Sequence, residues 1–140
     1  MTSIGDRAFF NCSGLKDIYI TDLTAWCNIS GLNYLMSYNS IDKKLYLNNN
    51  LVTTLTIPDS VTTIGSGTFY GCSGLTSVTI PNSVTSIGDG EFYNCSGLKN
   101  ITYKGTIAEW EKITKGYLWK DNVPTTCLIH CTDGDIKISD

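Results

Sequence analysis

The chain has 140 residues, which is enough for one domain with its own hydrophobic core. Hydrophobic residues make up 41% and charged residues 16%, a balance typical of folded proteins rather than disordered ones. The net charge is -3 and the chain has no basic stretch, which argues against nucleic-acid binding, and no apolar run reaches the roughly 18 residues that span a bilayer.

Residues 1–20 hold the second half of a repeat and then a strand. The spacing of apolar residues carries this interpretation, and the strand is predicted over residues 15–20. The positions concerned are Ile4, Phe9, Cys12, Leu15, Ile18 and Ile20.

Residues 21–51 interrupt the pattern. Leu23, Trp26 and Ile29 have helical spacing, and Asp22 is suited to cap the N-terminus of a short helix. The rest of the insertion predicts a strand, an asparagine-rich turn and a second strand. These segments are Leu45–Leu47, Asn48–Asn50 and Leu51–Val52.

Residues 52–103 hold regular repeats of 23 residues. Phe69 and Cys72 recur as Phe92 and Cys95, and the intervening leucine, valine and isoleucine positions have the spacing of a leucine-rich repeat. We therefore expect equivalent side chains to stack into ladders, with the Phe and Cys ladders buried. The strands expected to lie parallel in one sheet are Leu15–Ile20, Val52–Ile57, Leu75–Ile80 and Leu98–Tyr103.

Residues 104–140 repeat the irregular unit. Ile107, Trp110 and Ile113 match the helical spacing of the first unit, and Cys127–Cys131 and Ile136–Ile138 match its two strands around an Asp-Gly turn. We expect this unit to cover the last apolar layer of the repeats as a C-terminal cap.

The fold class predicted from these patterns is a β-rich α/β leucine-rich-repeat solenoid. It is expected to be a right-handed superhelix with one parallel sheet of about four to five strands and short helices in the two long units. The whole chain, 1–140, is expected to be a single domain. Its parts are an irregular unit over 1–59, a regular coil over 60–83 and a second irregular unit with the cap over 84–140.

Two stretches carry a family resemblance: SVTTIGSGTFYGCSGLTSVTIP (60–81) and SVTSIGDGEFYNCSGLKNITY (83–103). They resemble the BspA-like leucine-rich repeats of bacterial surface proteins. That resemblance implies an adhesion or interaction role at the cell surface or in secreted form, without a shared catalytic motif. The N-terminus MTSIGDRAFF has no signal-peptide pattern, so we expect an export signal and an anchor to lie in a longer parent protein.

The cysteines are the first candidates for chemistry. Cys12, Cys72 and Cys95 share one repeat position, where a small buried hydrophobe is expected. The sequence Cys-x-x-His-Cys at 127–131 contains metal-ligand residue types, but on a strand Cys127 and His130 point to opposite faces. Zinc requires converging ligands, usually four, so neither a metal site nor a cofactor is predicted.

Catalysis is the second candidate. A histidine-dependent mechanism would have to use His130, the only histidine. We align His130 with Leu47, an interior strand position, which favours a packing role. Glu109 and Glu111 would not face each other on a helix, which argues against a carboxylate pair for glycoside hydrolysis. The chain is therefore predicted not to be an enzyme, with a carbohydrate-active enzyme on a repeat scaffold kept as a remote alternative.

The remaining candidate is the outward face of the strands. Either these residues are solvated and chosen for strand propensity, or they form an extended interaction surface. Any hot spot is expected near Tyr19, with Lys16 and Asp17. The candidate binding residues are Lys16, Asp17, Tyr19, Thr53, Thr54, Thr56, Thr76, Ser77, Thr79, Lys99, Asn100 and Thr102.

The sequence thus predicts a non-catalytic protein-interaction or adhesion module that binds a protein or glycan partner on host or neighbouring cells through the strand face. The alternative is a structural spacer, or the C-terminal cap of a longer repeat protein. No nucleic-acid partner and no membrane insertion within this chain are expected.

Overall fold

The computed structural model describes residues 1–5, 7–9, 12, 14–36 and 42–139. Within these ranges the regular secondary structure is mostly β-strand, with three short helices and three sheets. In chain order the elements are β1 Asp17–Ile20, α1 Leu23–Cys27, α2 Asn33–Met36, β2 Lys44–Leu47, β3 Asn50–Leu51, β4 Thr54–Thr56, β5 Thr63–Ile64, β6 Ser77–Ile80, β7 Ser86–Ile87, β8 Asn100–Tyr103, α3 Ile107–Lys112, β9 Thr114–Lys115, β10 Leu128–Cys131 and β11 Gly134–Lys137.

The largest sheet has five strands in the order β11-β10-β8-β6-β4. Strands β4, β6, β8 and β10 are parallel, and β11 pairs antiparallel with β10. The register aligns Leu55 with Val78, Val78 with Ile101, and Ile101 with Ile129. The predicted parallel pairing of the strands from repeats 52–57, 75–80 and 98–103 is confirmed.

The predicted membership of the first strand in this sheet is wrong. Strand β1 pairs in parallel with β2, and β3 returns antiparallel to β2, so these strands form a separate sheet. The insertion explains the difference, because its strand β2 pairs with β1. Asn48 and Asn49 both have positive φ angles, 50° and 68°, and turn the chain back after β2.

A third sheet lies where each repeat turns back. The short strands β5, β7 and β9 pair in parallel. Gly88, which follows β7, is needed for close approach between repeats, since a Cβ there would lie 2.5 Å from the main-chain nitrogen of Ser66. Successive repeats therefore touch through their backbones at this corner.

Helices α1 and α3 begin after residues that cap them. The Asp22 side chain accepts a hydrogen bond from the Ala25 N–H at 3.0 Å, and the Thr106 hydroxyl accepts one from the Glu109 N–H at 3.2 Å. Trp26 and Trp110, at equivalent positions in α1 and α3, are both buried. The predicted likeness of the two irregular units is confirmed at this level.

The core contains the predicted Phe and Cys ladders. Phe69 and Phe92 are buried and stack with ring centroids 6.1 Å apart. Cys72 and Cys95 are buried, but Cys12 is exposed, against the prediction for that position. The main-chain N–H of Lys43 donates to the carbonyl of Gly71, the residue before Cys72. The segment that lies beside the Cys72 level is therefore the one around Lys43, not the one around Cys12.

A carboxylic acid lies inside this core. Glu91 is fully buried, and neither of its carboxyl oxygens has a hydrogen-bond partner within the described part of the chain. Burial raises the pKa of Glu91 well above its usual range, against a smaller opposing effect of the Thr68 main chain. Burial, with Glu91 adding to it, also raises the pKa of Cys72 to about 12. Burial therefore favours the neutral form of both groups in the folded protein.

Aromatic rings join the C-terminal unit to the last regular repeat. Trp119 contacts Phe92 edge to face, with centroids 6.4 Å apart, and Trp110 contacts both Tyr103 and Trp119. These contacts lie where a cap would cover the final layer, and the capping role itself stays a prediction.

Replacing Phe92 with alanine should lower the free energy of unfolding by about 3–5 kcal/mol, because the cavity cannot close between two rigid repeats. Chemical denaturation would measure the loss. Tyr117→Ala is the control, since Tyr117 is 76% exposed and should change stability by less than about 0.5 kcal/mol. Equal losses in the two variants would contradict the buried ladder.

Replacing Glu91 with glutamine should change how stability depends on pH. Above about pH 4.3 the unfolded chain releases a proton from Glu91 that the folded chain retains, so this residue lowers stability as pH rises. Denaturation between about pH 4 and pH 8 should show a flatter decline for Glu91→Gln than for the native protein. Glu109→Gln, at an exposed position, should leave the profile unchanged. Parallel profiles for Glu91→Gln and the native chain would refute this role.

Removing residues 104–140 should expose Phe92, Leu98 and Ile101, all fully buried in the intact chain. We expect the shortened protein to aggregate or unfold, because the exposed layer would be free to associate. Light scattering and circular dichroism would detect this. A shortened chain that is monomeric and equally stable would show that the C-terminal unit is not a cap.

Candidate binding surface

Polar side chains form rows across the outward face of the five-stranded sheet. On β6, Val78 and Ile80 point into the core, while Ser77 and Thr79 alternate with them and point outward. The parallel register brings equivalent residues side by side. One row is Thr54, Ser77 and Asn100, and the other is Thr56, Thr79, Thr102 and His130. We call these two rows the strand face.

His130 ends the second row in a fixed orientation. Its Nδ1 lies 2.8 Å from Asp135 Oδ1, and its Nε2 lies 2.9 Å from Asn100 Oδ1. Asp135 comes from β11 and Asn100 from β8, so the imidazole joins three adjacent strands. The ring is thereby positioned at the surface rather than in the core.

The predicted interior position of His130 is wrong. Tyr46 pairs with Tyr19 on β1, and His130 pairs with Thr102 on β8. The residue of the first unit at the position equivalent to His130 is therefore Tyr46, not Leu47. A one-residue shift in a strand moves a side chain to the opposite face. Aligning the two hairpins on their turns, Asn48-Asn49 and Thr132-Asp133, would have given the correct register.

The predicted hot spot lies on the other sheet. Lys16, Asp17 and Tyr19 belong to the segment of β1 and are exposed, but β1 is not hydrogen-bonded to the five-stranded sheet. Tyr19 is 61% exposed and stacks on Tyr46 with centroids 4.4 Å apart. Tyr46 was not among the predicted residues, because the register of the insertion was not recognised.

Three further candidates lie just before the strands. The Thr76 hydroxyl and the Thr76 N–H both donate to the Thr53 carbonyl, and the Lys99 N–H donates to the Thr76 carbonyl. These residues extend the parallel ladder, and the Thr76 hydroxyl is engaged within the protein. Of the twelve predicted residues, nine are therefore brought together on or beside the strand face: Thr53, Thr54, Thr56, Thr76, Ser77, Thr79, Lys99, Asn100 and Thr102.

The cysteines beside His130 are protonated at neutral pH. Cys127 is buried, and burial raises the pKa of its thiol to about 11. The pKa of Cys131 is also raised, mainly by burial and further by Asp133 and Asp135. Among the residues that the structure describes, no three His, Cys, Asp or Glu side chains are arranged to hold a metal ion.

None of the helices in the described ranges combines the length and the apolar character that crossing a bilayer requires.

The family model for BspA-type leucine-rich repeat regions matches residues 1–114, with six copies. A search of solved structures returned a leucine-rich cell surface protein from Faecalibacterium prausnitzii A2-165, 25% identical, with a TM-score of 0.49. That match covers 81% of this chain and 32% of the other protein, so the chain spans about a third of its length. The comparison with curated proteins gave no match.

The family match covers well over half of the chain and includes both regular repeats and the strands β1, β4, β6 and β8. On this evidence the chain belongs to the BspA-type leucine-rich-repeat family.

Proposed function

We propose that the chain is a non-catalytic interaction module of a bacterial cell-surface or secreted protein. Its repeats would wind into a right-handed solenoid, and the strand face would bind a protein partner. Family membership supports the class of function, since repeats of this kind commonly present extended binding surfaces.

The two rows of the strand face are the observation that carries the proposal. They are in register and polar; the second row crosses four parallel strands and the first crosses three, since Leu128 takes the first row's place on β10. Threonine and serine offer a hydroxyl and a short side chain with little rotamer entropy to lose on binding. A partner with an extended segment could therefore contact equivalent groups on successive strands.

The cluster of Asn100, His130 and Asp135 provides the strongest single contact point. Its side chains hold one another at 2.8 and 2.9 Å, so little ordering is required when a partner binds. The threonine, serine and asparagine side chains of the two rows carry no charge, and this cluster adds a carboxylate and an imidazole at one end of the strand face. The partner is expected to place a cationic or hydrogen-bonding group there.

The experiment is a screen of extracellular proteins and glycans immobilised on an array, followed by surface plasmon resonance with any ligand found. Thr79→Arg should weaken binding about tenfold or more, because a long charged side chain would interrupt the row. Thr62→Arg is the matched control. Thr62 is an exposed threonine beside β5, on the sheet that does not form the strand face, and its substitution should leave affinity unchanged.

Two results would contradict the proposal. A protein ligand bound equally well by Thr79→Arg and the native chain would place the contact elsewhere. Failure to bind anything on the array would favour the alternative role as a spacer, in which the threonines serve strand formation alone.

A further inference from the structure

A concave surface lies away from the strand face, where each repeat leaves the β5-β7-β9 sheet. We name it the tyrosine groove, and it encloses about 270 Å³. Its principal lining residues are Asn33, Tyr70, Asp89, Tyr93, Tyr117 and Leu118. The proposed function does not use any of these residues.

The groove runs along the direction in which the repeats stack. Tyr70 and Tyr93 occupy the same position in successive repeats, and their rings stack with centroids 4.8 Å apart and planes 11° apart. Asn33 borders the first of these repeats, and Tyr117 borders the second, since the Gly90 N–H donates to the Tyr117 carbonyl. With neighbouring levels about 4.8 Å apart, the groove extends over about 14 Å.

The backbone of the groove is held in place before any ligand arrives. The Gly67 N–H donates to the Asp89 carbonyl, and Asp89 Oδ1 accepts from the Tyr117 N–H at 2.7 Å. Gly90 has a φ of +61°, and a Cβ there would lie 3.2 Å from the Tyr70 ring. Such preorganisation lowers the cost of ligand binding.

The groove combines aromatic rings with hydrogen-bonding groups. Tyr117 as a whole is 76% exposed, so its ring can offer a face to a ligand. Asp89 uses one oxygen for the Tyr117 N–H, and a carboxylate has about four acceptor positions, so it can accept further hydrogen bonds from hydroxyl groups. The exposed face of Tyr117 beside the Asp89 carboxylate suits a ligand with apolar C–H faces and a rim of hydroxyls.

The geometry points to a neutral oligosaccharide as the ligand of the tyrosine groove. Its sugar rings would lie along the stacking direction, one would pack on the Tyr117 ring, and hydroxyl groups would donate to Asp89. The repeat spacing supports an extended ligand with a regular repeat of its own. This inference is independent of the strand face and of the partner proposed there.

A proline-rich peptide is the competing occupant, because such segments also bind tyrosine-lined grooves. Seating a proline ring between two aromatic rings requires about 7–8 Å, twice the usual contact distance. The Tyr70 and Tyr93 rings are only 4.8 Å apart and fill that space with each other. The ladder therefore presents a continuous wall rather than separate pockets, which favours the oligosaccharide.

The test uses an array of neutral plant, microbial and mucin-type oligosaccharides, with calorimetric titration of any sugar found. Tyr117→Ala and Asp89→Asn should each weaken binding about tenfold or more. Leu51→Ala is the control, because Leu51 is also a large exposed side chain but lies on β3 in the β1 sheet, and it should bind as the native chain does.

Circular dichroism of each variant would show that the fold is retained, and Tyr117→Phe should restore binding because it keeps the ring. Absence of any sugar with a Kd below about 1 mM would overturn the inference. So would sugar binding that survives both groove variants, or a proline-rich peptide bound in place of the sugars and lost with Tyr117→Ala.

Discussion

The stacking of equivalent side chains from one repeat onto the next is the interaction on which this protein depends. A single repeat has too few apolar residues to enclose its own interior, so each buries its inward face against its neighbours. Val78 lies beside Leu55 and Ile101, and all three are almost fully buried. On the opposite wall of the core, Phe69 stacks on Phe92 of the next repeat.

The same register arranges the outside of the molecule. Because inward residues must align, the outward residues between them also align, and single threonines become rows on the strand face. On another wall the register turns Tyr70 and Tyr93 into a ring ladder. Both proposed binding surfaces therefore follow from the same in-register alignment of equivalent residues that packs the core.

The period of 23 residues was sufficient to predict the regular part of the fold. Ladder positions such as Phe92 and Cys95 are determined by neighbours at a fixed distance in sequence, and a period read from the sequence locates them. The helix caps at Asp22 and in the second unit depend on residues within three positions, and local patterns are adequate for these.

The irregular units could not be placed in the same way. Whether β1 joins the main sheet depends on β2, which an insertion brings in from outside the period. The outward position of His130 depended on a one-residue choice in aligning two hairpins. Burial of Glu91 was also missed, since its position in the repeat is occupied by Thr68 one repeat earlier and its charge suggested solvent.

The candidate site was predicted less well than the fold. Periodicity places residues on a face but does not distinguish a threonine that binds from one that only favours a strand. The cluster joins Asn100 on β8 to His130 and Asp135 on the β10–β11 hairpin, 30 residues later for His130, and only the assembled sheet brings β8 beside the hairpin. The tyrosine groove likewise needs residues from successive levels.

Nuclear Overhauser effects between backbone protons of adjacent strands would test the in-register stacking most directly. The account predicts cross-peaks that join Val78 to Ile101, Thr79 to Thr102 and Thr102 to His130, with residue numbers rising together along paired strands. Cross-peaks in which the numbers rise along one strand and fall along its neighbour, or which join residues one position out of register, would contradict it.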